Sequence, residues 1–223
     1  MSSDVDICNL ALSHLGDEAE VSAINPPDGS IQAAHCGRYY PMARDLLLEA
    51  HTWTFATKRV AVAEVDNPSP WDWQYAYALP STCLRPVSAL VPGQPAQFLS
   101  TESDNGSHPY IVEAGQDGGL VLFTNIPAAV LRYIDRVEDP AKVTPGFTMA
   151  LSRLLAAYLA GPILKGDKGM VVAEKQLVWF DREFRKAAAM NANVGKRSTY
   201  ETRQPSFIAA RGGLTLNTGW PRA

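Results

Sequence analysis

Near the start of the chain, the apolar positions recur at helical spacing in two separate segments. The first segment follows three candidate capping residues, Ser2, Ser3 and Asp4, and stops at Gly16. The second follows another capping residue, Ser30, and runs to about residue 52. Pro41 lies inside the second segment and removes one backbone hydrogen bond there, so a kink or a break is predicted at that point. The pattern therefore predicts two helices joined by a polar turn.

After residue 66 the helical period gives way to a period of two. Large apolar side chains, mostly aromatic, occupy every second position, which is typical of a strand. These residues are Trp71, Trp73, Tyr75, Tyr77 and Leu79. Further short apolar runs between clusters of Gly, Pro, Asn and Asp also predict strands. They are 84–91, 110–113, 120–124 and 130–137. Because the connections are too short for crossover helices, the sheet is predicted to be mainly antiparallel.

Helical spacing returns after residue 138. Thr144 is a capping residue followed by a proline at the first helical position, and the segment after it is almost wholly apolar, so a buried helix is predicted. Gly161-Pro162 and Gly166-Asp167 are predicted to end this helix. A last helix is predicted from about residue 168 to 191, with an apolar stripe on one side. The stripe consists of Ala173, Leu177, Phe180, Phe184 and Ala188.

Together these patterns predict an α+β fold. A helical bundle of about four helices carries an inserted, mainly antiparallel β region and ends in an extended C-terminal arm. Residues 1–66 are predicted to form the first helical part of the bundle, and residues 67–137 the β region. Residues 138–192 are predicted to form the helical part that completes the bundle, and residues 193–223 the arm.

The predicted arm has no helical or strand period, yet it contains large apolar residues among its glycines and prolines. It carries five basic residues and one acidic residue, a charge of about +4, whereas the whole chain carries -3 and the remainder therefore about -7. A purely flexible tail would avoid exposed Trp, Phe and Ile, because these side chains favour association. We therefore predict an arm that docks on another surface. A tail packed on its own body, or a disordered tail, is the alternative.

The stretch HTWTFATKRVAVAE, residues 51–64, joins the second predicted helix to the β region. Trp53 and Phe55 are two residues apart, so they can lie on one side of an extended chain. We predict that they fill the core between the helices and the sheet, because aromatic side chains bury the most surface per residue. Lys58 and Arg59 are predicted to mark the solvent edge. A cofactor pocket is the alternative interpretation.

Composition excludes several classes of protein. The net charge of -3 is not that of a nucleic-acid binder. The three cysteines include no CxxC pair, so a disulfide framework or a zinc site is not expected, and Cys8 and Cys36 are predicted to be buried thiols. The sequence has no long uninterrupted apolar run and begins with acidic residues, so neither a membrane span nor a secretory signal is expected.

No residue of the sequence is predicted to be catalytic, to bind a metal or to bind a cofactor. The stretch GPILKGDKG lacks the Gly-Lys-Ser/Thr of a phosphate loop. The acidic residues near the first helix match no calcium loop and are predicted to be solvated. They are Asp4, Asp6, Asp17, Glu18 and Glu20.

The scattered histidines are predicted to be structural; they are His14, His35, His51 and His108. Asp135, Glu138 and Asp139 are predicted to be helix-entry charges, with a catalytic carboxylate pair as the alternative.

Three short sequence steps occur in order along the chain. They are an Arg-Asp-Leu-Leu step at 44–47, a Trp-x-Phe-Ala-x-x-Arg step at 53–59 and a Tyr-x-Leu-Pro-x-x-Cys-x-Arg step at 77–85. With these steps, residues 5 to about 190 resemble the tail tubular protein A group, the head-to-tail adaptors of short-tailed bacteriophages.

The resemblance implies a structural role in the virion tail, in a protein made and assembled in the host bacterial cytoplasm. Such proteins form a ring, typically a dodecamer, between the portal protein and the tail nozzle protein. The ring extends the channel through which viral DNA passes without specific binding. No enzymatic activity, cofactor or membrane is implied. A phage tail-associated hydrolase and, behind it, a DNA-binding packaging factor remain alternatives.

If the arm grips the portal or a neighbouring copy, its aromatic and arginine side chains are the expected interface contacts. These residues are Arg197, Tyr200, Arg203, Phe207, Arg211 and Trp220.

Overall fold

The computed structural model describes residues 3–93, 108–115 and 118–194. It confirms the α+β class, since long helices and antiparallel sheets both occur. The helices are α1 (Asp4–Ser13), α2 (Ile31–Ala50), α3 (Pro145–Leu164) and α4 (Gly166–Ala192), with a short 3-10 helix at Pro140–Lys142. The six predicted interface residues of the arm lie outside the described residues.

Two helices begin at the capping residues that the sequence predicts, and α1 begins at one of its three candidates. Ser3 forms a capping box at the start of α1, in which its side chain and that of Asp6 accept each other's backbone N–H. The Ser30 side chain accepts a hydrogen bond from a backbone N–H of the first turn of α2. Thr144 does the same for α3, whose first residue is Pro145. These starts are local events, and the sequence predicts them correctly.

Neither internal proline ends its helix. α2 is one element across Pro41. α3 continues through Gly161 and Pro162 to Leu164, so the first of its two predicted end signals is wrong and the second, Gly166-Asp167, agrees with the observed end. Pro41 lies on the exposed side of α2, and buried residues occur on both sides of it. The packing of both halves on the core compensates for the one backbone hydrogen bond that the proline removes.

Two antiparallel sheets follow the first two helices. The strands are β1 (Thr57–Ala61), β2 (Glu64–Val65), β3 (Tyr75–Ala78), β4 (Cys83–Leu90), β5 (Tyr110–Ala114), β6 (Leu120–Thr124) and β7 (Val130–Asp135). The first sheet has the order β1-β7-β4, and the second has the order β2-β3-β6-β5. Strand pairing therefore begins at Thr57 and not at the predicted boundary of residue 67.

The alternating aromatic run forms a strand only over its second half. β3 begins at Tyr75, whereas Trp71 and Trp73 lie in a turn before it. The backbone N–H of Trp73 donates to the carbonyl of Ser69, and the side chain of Asn67 donates to the carbonyl of Trp73 at 2.6 Å. These local bonds hold the turn in place of a ladder, so the predicted length of the strand is wrong.

The first hydrophobic core joins the helices to the β1-β7-β4 sheet. Trp53 is completely buried in it, and its ring packs against Phe55 at 5.8 Å and Phe147 at 5.2 Å between centroids. This confirms that the junction stretch fills the core between helices and sheet. Lys58 and Arg59 are exposed, as predicted.

The other buried residues include two thiols of the first core and a second hydrophobic core. Cys8 and Cys36 are buried in the first core, which confirms the prediction for both thiols. A second core lies between the two sheets and is built around Tyr77, Leu122 and Leu131. The second sheet is thus attached to the first through this core.

α3 is the central helix of the bundle. By length and by its mean hydropathy of 1.4, α3 is apolar enough to cross a membrane. However, 61% of its most apolar segment is buried inside the protein. α1, α2 and α4 all pack on α3. The apolar composition of α3 is therefore explained by its position among the other helices.

α3 and α4 pack closely because small residues meet at both ends of the pair. A Cβ added to Gly169 would lie 2.9 Å from the carbonyl oxygen of Ala160, and one added to Gly146 would lie 3.1 Å from the Cβ of Ala187. The buried side of α4 therefore contains Gly169 and Ala187, together with the long polar side chain of Gln176.

The same contact changes the buried face of α4 from the predicted stripe. Phe180 and Phe184 pack on the core as predicted. Leu177 does not, since it remains 45% exposed, so the prediction for Leu177 is wrong. The face of α4 that meets α3 is chosen by its small residues, and some large apolar residues are left on the outside.

Candidate interaction surfaces

The outer side of α2 carries large apolar residues that the protein does not bury. Ile31 is 72% exposed, Met42 63% and Leu46 50%. Their spacing places them along one side of the helix, opposite the buried residues Cys36 and Leu47. We call Ile31, Met42 and Leu46 the α2 face. Such a row is a candidate contact surface for another protein.

α4 carries a second apolar surface in its first half. It consists of Met170, Val171, Leu177 and Val178, which we call the α4 face. Met170 and Leu177 are seven residues apart, as are Val171 and Val178, so the four side chains lie together over two helical turns. Val178 is 71% exposed and Met170 63%.

A groove adjoins the α4 face where the bundle ends. It has a volume of about 470 Å³, and its apolar wall includes Leu15, Leu164 and Val171. Asp167 and Lys168 lie at the same groove. The α4 face therefore continues into a concave apolar surface with charged residues beside it, which resembles the core and rim of a protein interface.

Trp179 lies beside the α4 face between two arginines. The guanidinium of Arg153, from α3, is 5.6 Å from the centroid of the ring, and that of Arg182 is 5.1 Å away. These distances are within the range of cation–π attraction. The ring is 43% exposed, so it adds an aromatic side chain to the outer surface of α4.

The α2 face and the α4 face are separate surfaces. Both helices pack on α3, and neither makes an extensive contact with the other. The exposed residues of each helix point away from its buried side. The protein thus presents two apolar surfaces that differ in residue type and in position.

The histidines occupy structural positions in different parts of the fold. Nε2 of His14 lies 3.1 Å from Oγ of Ser152, and the carbonyl of His14 accepts a hydrogen bond from Gln176 at 2.8 Å. Burial, and then the charge of Arg153, lower the pKa of His14 to about 4. His14 therefore contributes a neutral ring to a network that links α1, α3 and α4.

The other three histidines are far from this network. His51 lies 3.2 Å from Nδ2 of Asn191, and burial followed by the charge of Arg85 lowers its pKa. His35 stacks on Tyr39 with 6.3 Å between ring centroids. His108 pairs with Ala89 through an isolated β-bridge. The structure does not bring these histidines together.

The candidate carboxylates also have separate roles. Asp135 is buried at the end of β7 and pairs with Lys58 at 2.6 Å, so its predicted role as a helix-entry charge is wrong. Asp139 caps the 3-10 helix, as predicted. Asp6 belongs to the capping box of α1, where the backbone N–H of Ser3 lowers the pKa of its carboxyl. Within the described ranges, no three potential metal-ligating side chains come together.

Few features of the sequence indicate the two apolar faces. Met170 and Val178 are large apolar residues outside the predicted stripe of α4, which was the available signal on that helix. Met42 and Leu46 likewise lie outside the buried side of α2. The residues predicted to form an interface lie after residue 194 and outside the described part of the chain.

No protein-family model matches this chain, and no curated protein matches it.

Proposed function

We propose that this chain is a structural virion protein, a head-to-tail adaptor of the tail tubular type. Copies of it assemble into a ring, with a dodecamer expected, between the portal protein and the tail nozzle protein. The ring extends the channel through which DNA leaves the capsid. The observation that carries the proposal is the pair of unlike apolar faces on α2 and α4.

A ring needs two different surfaces on every subunit. In head-to-tail association, one surface of each copy contacts a different surface of the next, and the ring closes when the rotation between copies permits it. We assign these roles to the α2 face and the α4 face. Burying a half-exposed Leu, Met or Val contributes on the order of 1 kcal/mol. Several such residues in each contact, repeated around a ring, offset the entropic cost of association.

Each of the three sequence steps that resemble the adaptor family contributes a residue that makes contacts near the junction between the bundle and the first sheet. Asp45, in the first step, accepts hydrogen bonds from Arg44 and Arg136, both at 2.9 Å. Trp53, in the second, is the buried aromatic of the first core. Arg85, in the third, donates to Thr52 at 3.1 Å. These contacts connect α2 and the junction stretch to the first sheet, which suits a subunit that packs beside its neighbours in a ring.

The charge distribution suits a channel for DNA. The basic residues after residue 193 leave the remainder of the chain near -7. An acidic channel wall repels the DNA backbone and so prevents DNA from adhering during passage. A channel wall rich in lysine and arginine would contradict this part of the proposal.

The test is the mass of the particle that forms when the protein is mixed with the portal protein of the same virus. Native mass spectrometry should show a jump from the monomer to a ring with several copies on each portal. A protein that stays monomeric beside assembled portal would contradict the proposal.

A truncated protein tests the role of the arm separately. Deletion of residues 196–223 should leave a folded and soluble protein that fails to join portal rings, because the arm supplies aromatic and basic contacts. Normal joining by the truncated protein would remove the arm from the proposal and leave the helix faces as its basis.

A further inference from the structure

Two arginines face each other across neighbouring strands of the first sheet. Arg59 on β1 is directly opposite Arg132 on β7. Ser88 on β4 is opposite Arg132 on its other side. In antiparallel strands, residues in direct register point to the same face of the sheet, so Arg59, Arg132 and Ser88 form a row across it. Like charges in this position destabilise a sheet unless an anion lies between them.

The arginine row has no anion among the described residues. Neither Arg59 nor Arg132 forms an ion pair with them, whereas Lys58, on the opposite face of β1, pairs with Asp135 at 2.6 Å. Nε of Arg132 and Oγ of Ser88 are both buried, and neither has a hydrogen-bond partner in the described part of the chain. Ser88 is only 4% exposed. Buried polar groups are nearly always satisfied, so this row lacks the acceptor that it would normally have.

The strand beside this row is an open edge. β1 is the outer strand of the sheet, and in the described residues no strand pairs with its other side. Ala56 and Val62 flank β1: the carbonyl of Ala56 accepts from the backbone N–H of Asp135, and the backbone N–H of Val62 donates to the carbonyl of Ala129. In this register, every second residue between them, Lys58 and Val60, also bonds inward to β7. The backbone groups of Arg59, which alternates with them, therefore point outward.

We propose that the β1 edge binds an extended acidic peptide segment of another protein. The segment adds as an antiparallel strand beside β1, and a glutamate or aspartate opposite Arg59 places its carboxylate against Arg59 and Arg132. Backbone pairing supplies affinity in this binding mode, and side-chain contacts supply specificity. Charge-assisted hydrogen bonds from arginine to carboxylate are stronger than neutral ones and suit the planar guanidinium.

Charge and shape favour an acidic peptide over other occupants. The chain's own C-terminal residues carry about +4 and would be repelled by the arginine row. Single-stranded nucleic acid binds to longer tracks of cations with aromatic rings that stack on bases. β1 has the sequence TKRVA and offers neither. This inference does not rest on the proposed ring, and either can fail without the other.

The test uses the full-length protein and a labelled ten-residue peptide that alternates glutamate with valine. Fluorescence anisotropy at low salt measures its affinity. R59Q changes an exposed position on the edge strand and should weaken binding about tenfold, and the double variant R59Q–R132Q should weaken it further. R38Q is the control, because Arg38 is exposed on α2 and has no ion pair among the described residues. It should leave affinity unchanged.

Two methylated peptides test the backbone pairing. A residue opposite Arg59 in the added strand directs its own N–H toward β1. Methylation of the glutamate amides should therefore abolish binding, whereas methylation of the valine amides, which point away, should preserve it. Equal binding of these two peptides would overturn the added strand.

Three other results would also overturn the inference. They are unchanged affinity in R59Q–R132Q, tighter binding of a lysine–valine peptide, and displacement of the labelled peptide by single-stranded DNA at lower concentration than by unlabelled peptide. Because R59Q removes a repulsive contact, its thermal midpoint should equal or exceed that of the wild type, which shows that any loss of binding is not a loss of fold.

Discussion

Asn191 at the end of α4 holds Thr54, which lies between α2 and β1, although 137 residues separate them in the sequence. Its side-chain oxygen accepts hydrogen bonds from both the backbone N–H and the hydroxyl of Thr54, each at 2.9 Å. Its amide nitrogen donates to the carbonyl of Thr52 at 3.1 Å. One side chain thus fastens the last described helix to the junction between α2 and β1.

Replacement of Asn191 by alanine should lower the free energy of unfolding by about 2 kcal/mol, because several hydrogen bonds are lost and their partners are left partly buried. Urea denaturation followed by circular dichroism measures the change. N193A is the matched control, since Asn193 is exposed just after the helix, and it should change stability by less than about 0.5 kcal/mol. Equal stability of N191A and N193A would show that this contact does not hold the two ends together.

Trp53 and Trp71 should respond very differently to substitution. Trp53 is completely buried and donates its indole N–H to the carbonyl of Leu47 at 2.8 Å. W53F removes that bond and leaves a space, so we expect a loss of about 2–4 kcal/mol in the free energy of unfolding. W71F should cost less than about 0.5 kcal/mol, because Trp71 is 78% exposed. Similar losses in the two variants would contradict the position of Trp53 in the core.

The close contact of α3 and α4 can be tested with two glycines. G169A places a methyl group 2.9 Å from the carbonyl oxygen of Ala160, so the helices must separate, at a cost of about 1–3 kcal/mol. G161A meets no atom within 4 Å and lies inside α3, where alanine favours the helix by about 0.5–1 kcal/mol. Denaturant unfolding should therefore show opposite signs for the two variants. A stabilising G169A would mean that α4 lies farther from α3 than described.

The starts of the helices could be predicted from the sequence because they depend on neighbours a few residues away. Ser3, Ser30 and Thr144 cap backbone groups within their own first turn. The orientation of α4 could not be predicted in this way. It depends on the approach of Gly169 to Ala160 across two helices, and hydrophobic periodicity alone placed Leu177 on the wrong side.

The candidate surfaces depend on contacts that are even more distant in the sequence. The row of Arg59 and Arg132 exists only through the register of β1 against β7, which no local pattern reveals. The α2 face is visible in the sequence as scattered apolar residues, but only the packing of α2 on α3 shows that these residues remain outside. In contrast, Trp53 and Phe55 could be predicted as core residues from their size, spacing and position.

Stability should decrease as the pH falls because His14 is held neutral. Its pKa is about 4 in the folded protein, against an ordinary value of 6.5, and the main cause is burial. Between these two values the unfolded chain binds more protons than the folded one, so the free energy of unfolding rises with pH in this window and falls on acidification. H14N cannot titrate there and should show a flatter dependence on pH. Parallel curves for H14N and the wild type from pH 6.5 to 4 would refute this assignment.

The two apolar faces can be tested as a complementary pair. M42E–L46E blocks the α2 face, and V171E–V178E blocks the α4 face. If the α2 face of one copy contacts the α4 face of the next, each variant alone should stay monomeric under conditions in which the wild type forms rings, because buried unpaired carboxylates oppose the contact.

A mixture of the two variants makes this test decisive. Each variant retains the surface that the other has lost, so one contact can form between them but a ring cannot close. Native mass spectrometry should therefore show pairs and no larger particles in the mixture. M190E is the control, since Met190 is an exposed apolar residue of α4 outside the α4 face, and it should form rings normally. If the faces instead paired like with like, one variant alone would still form dimers through its intact face, and the mixture would add no new species.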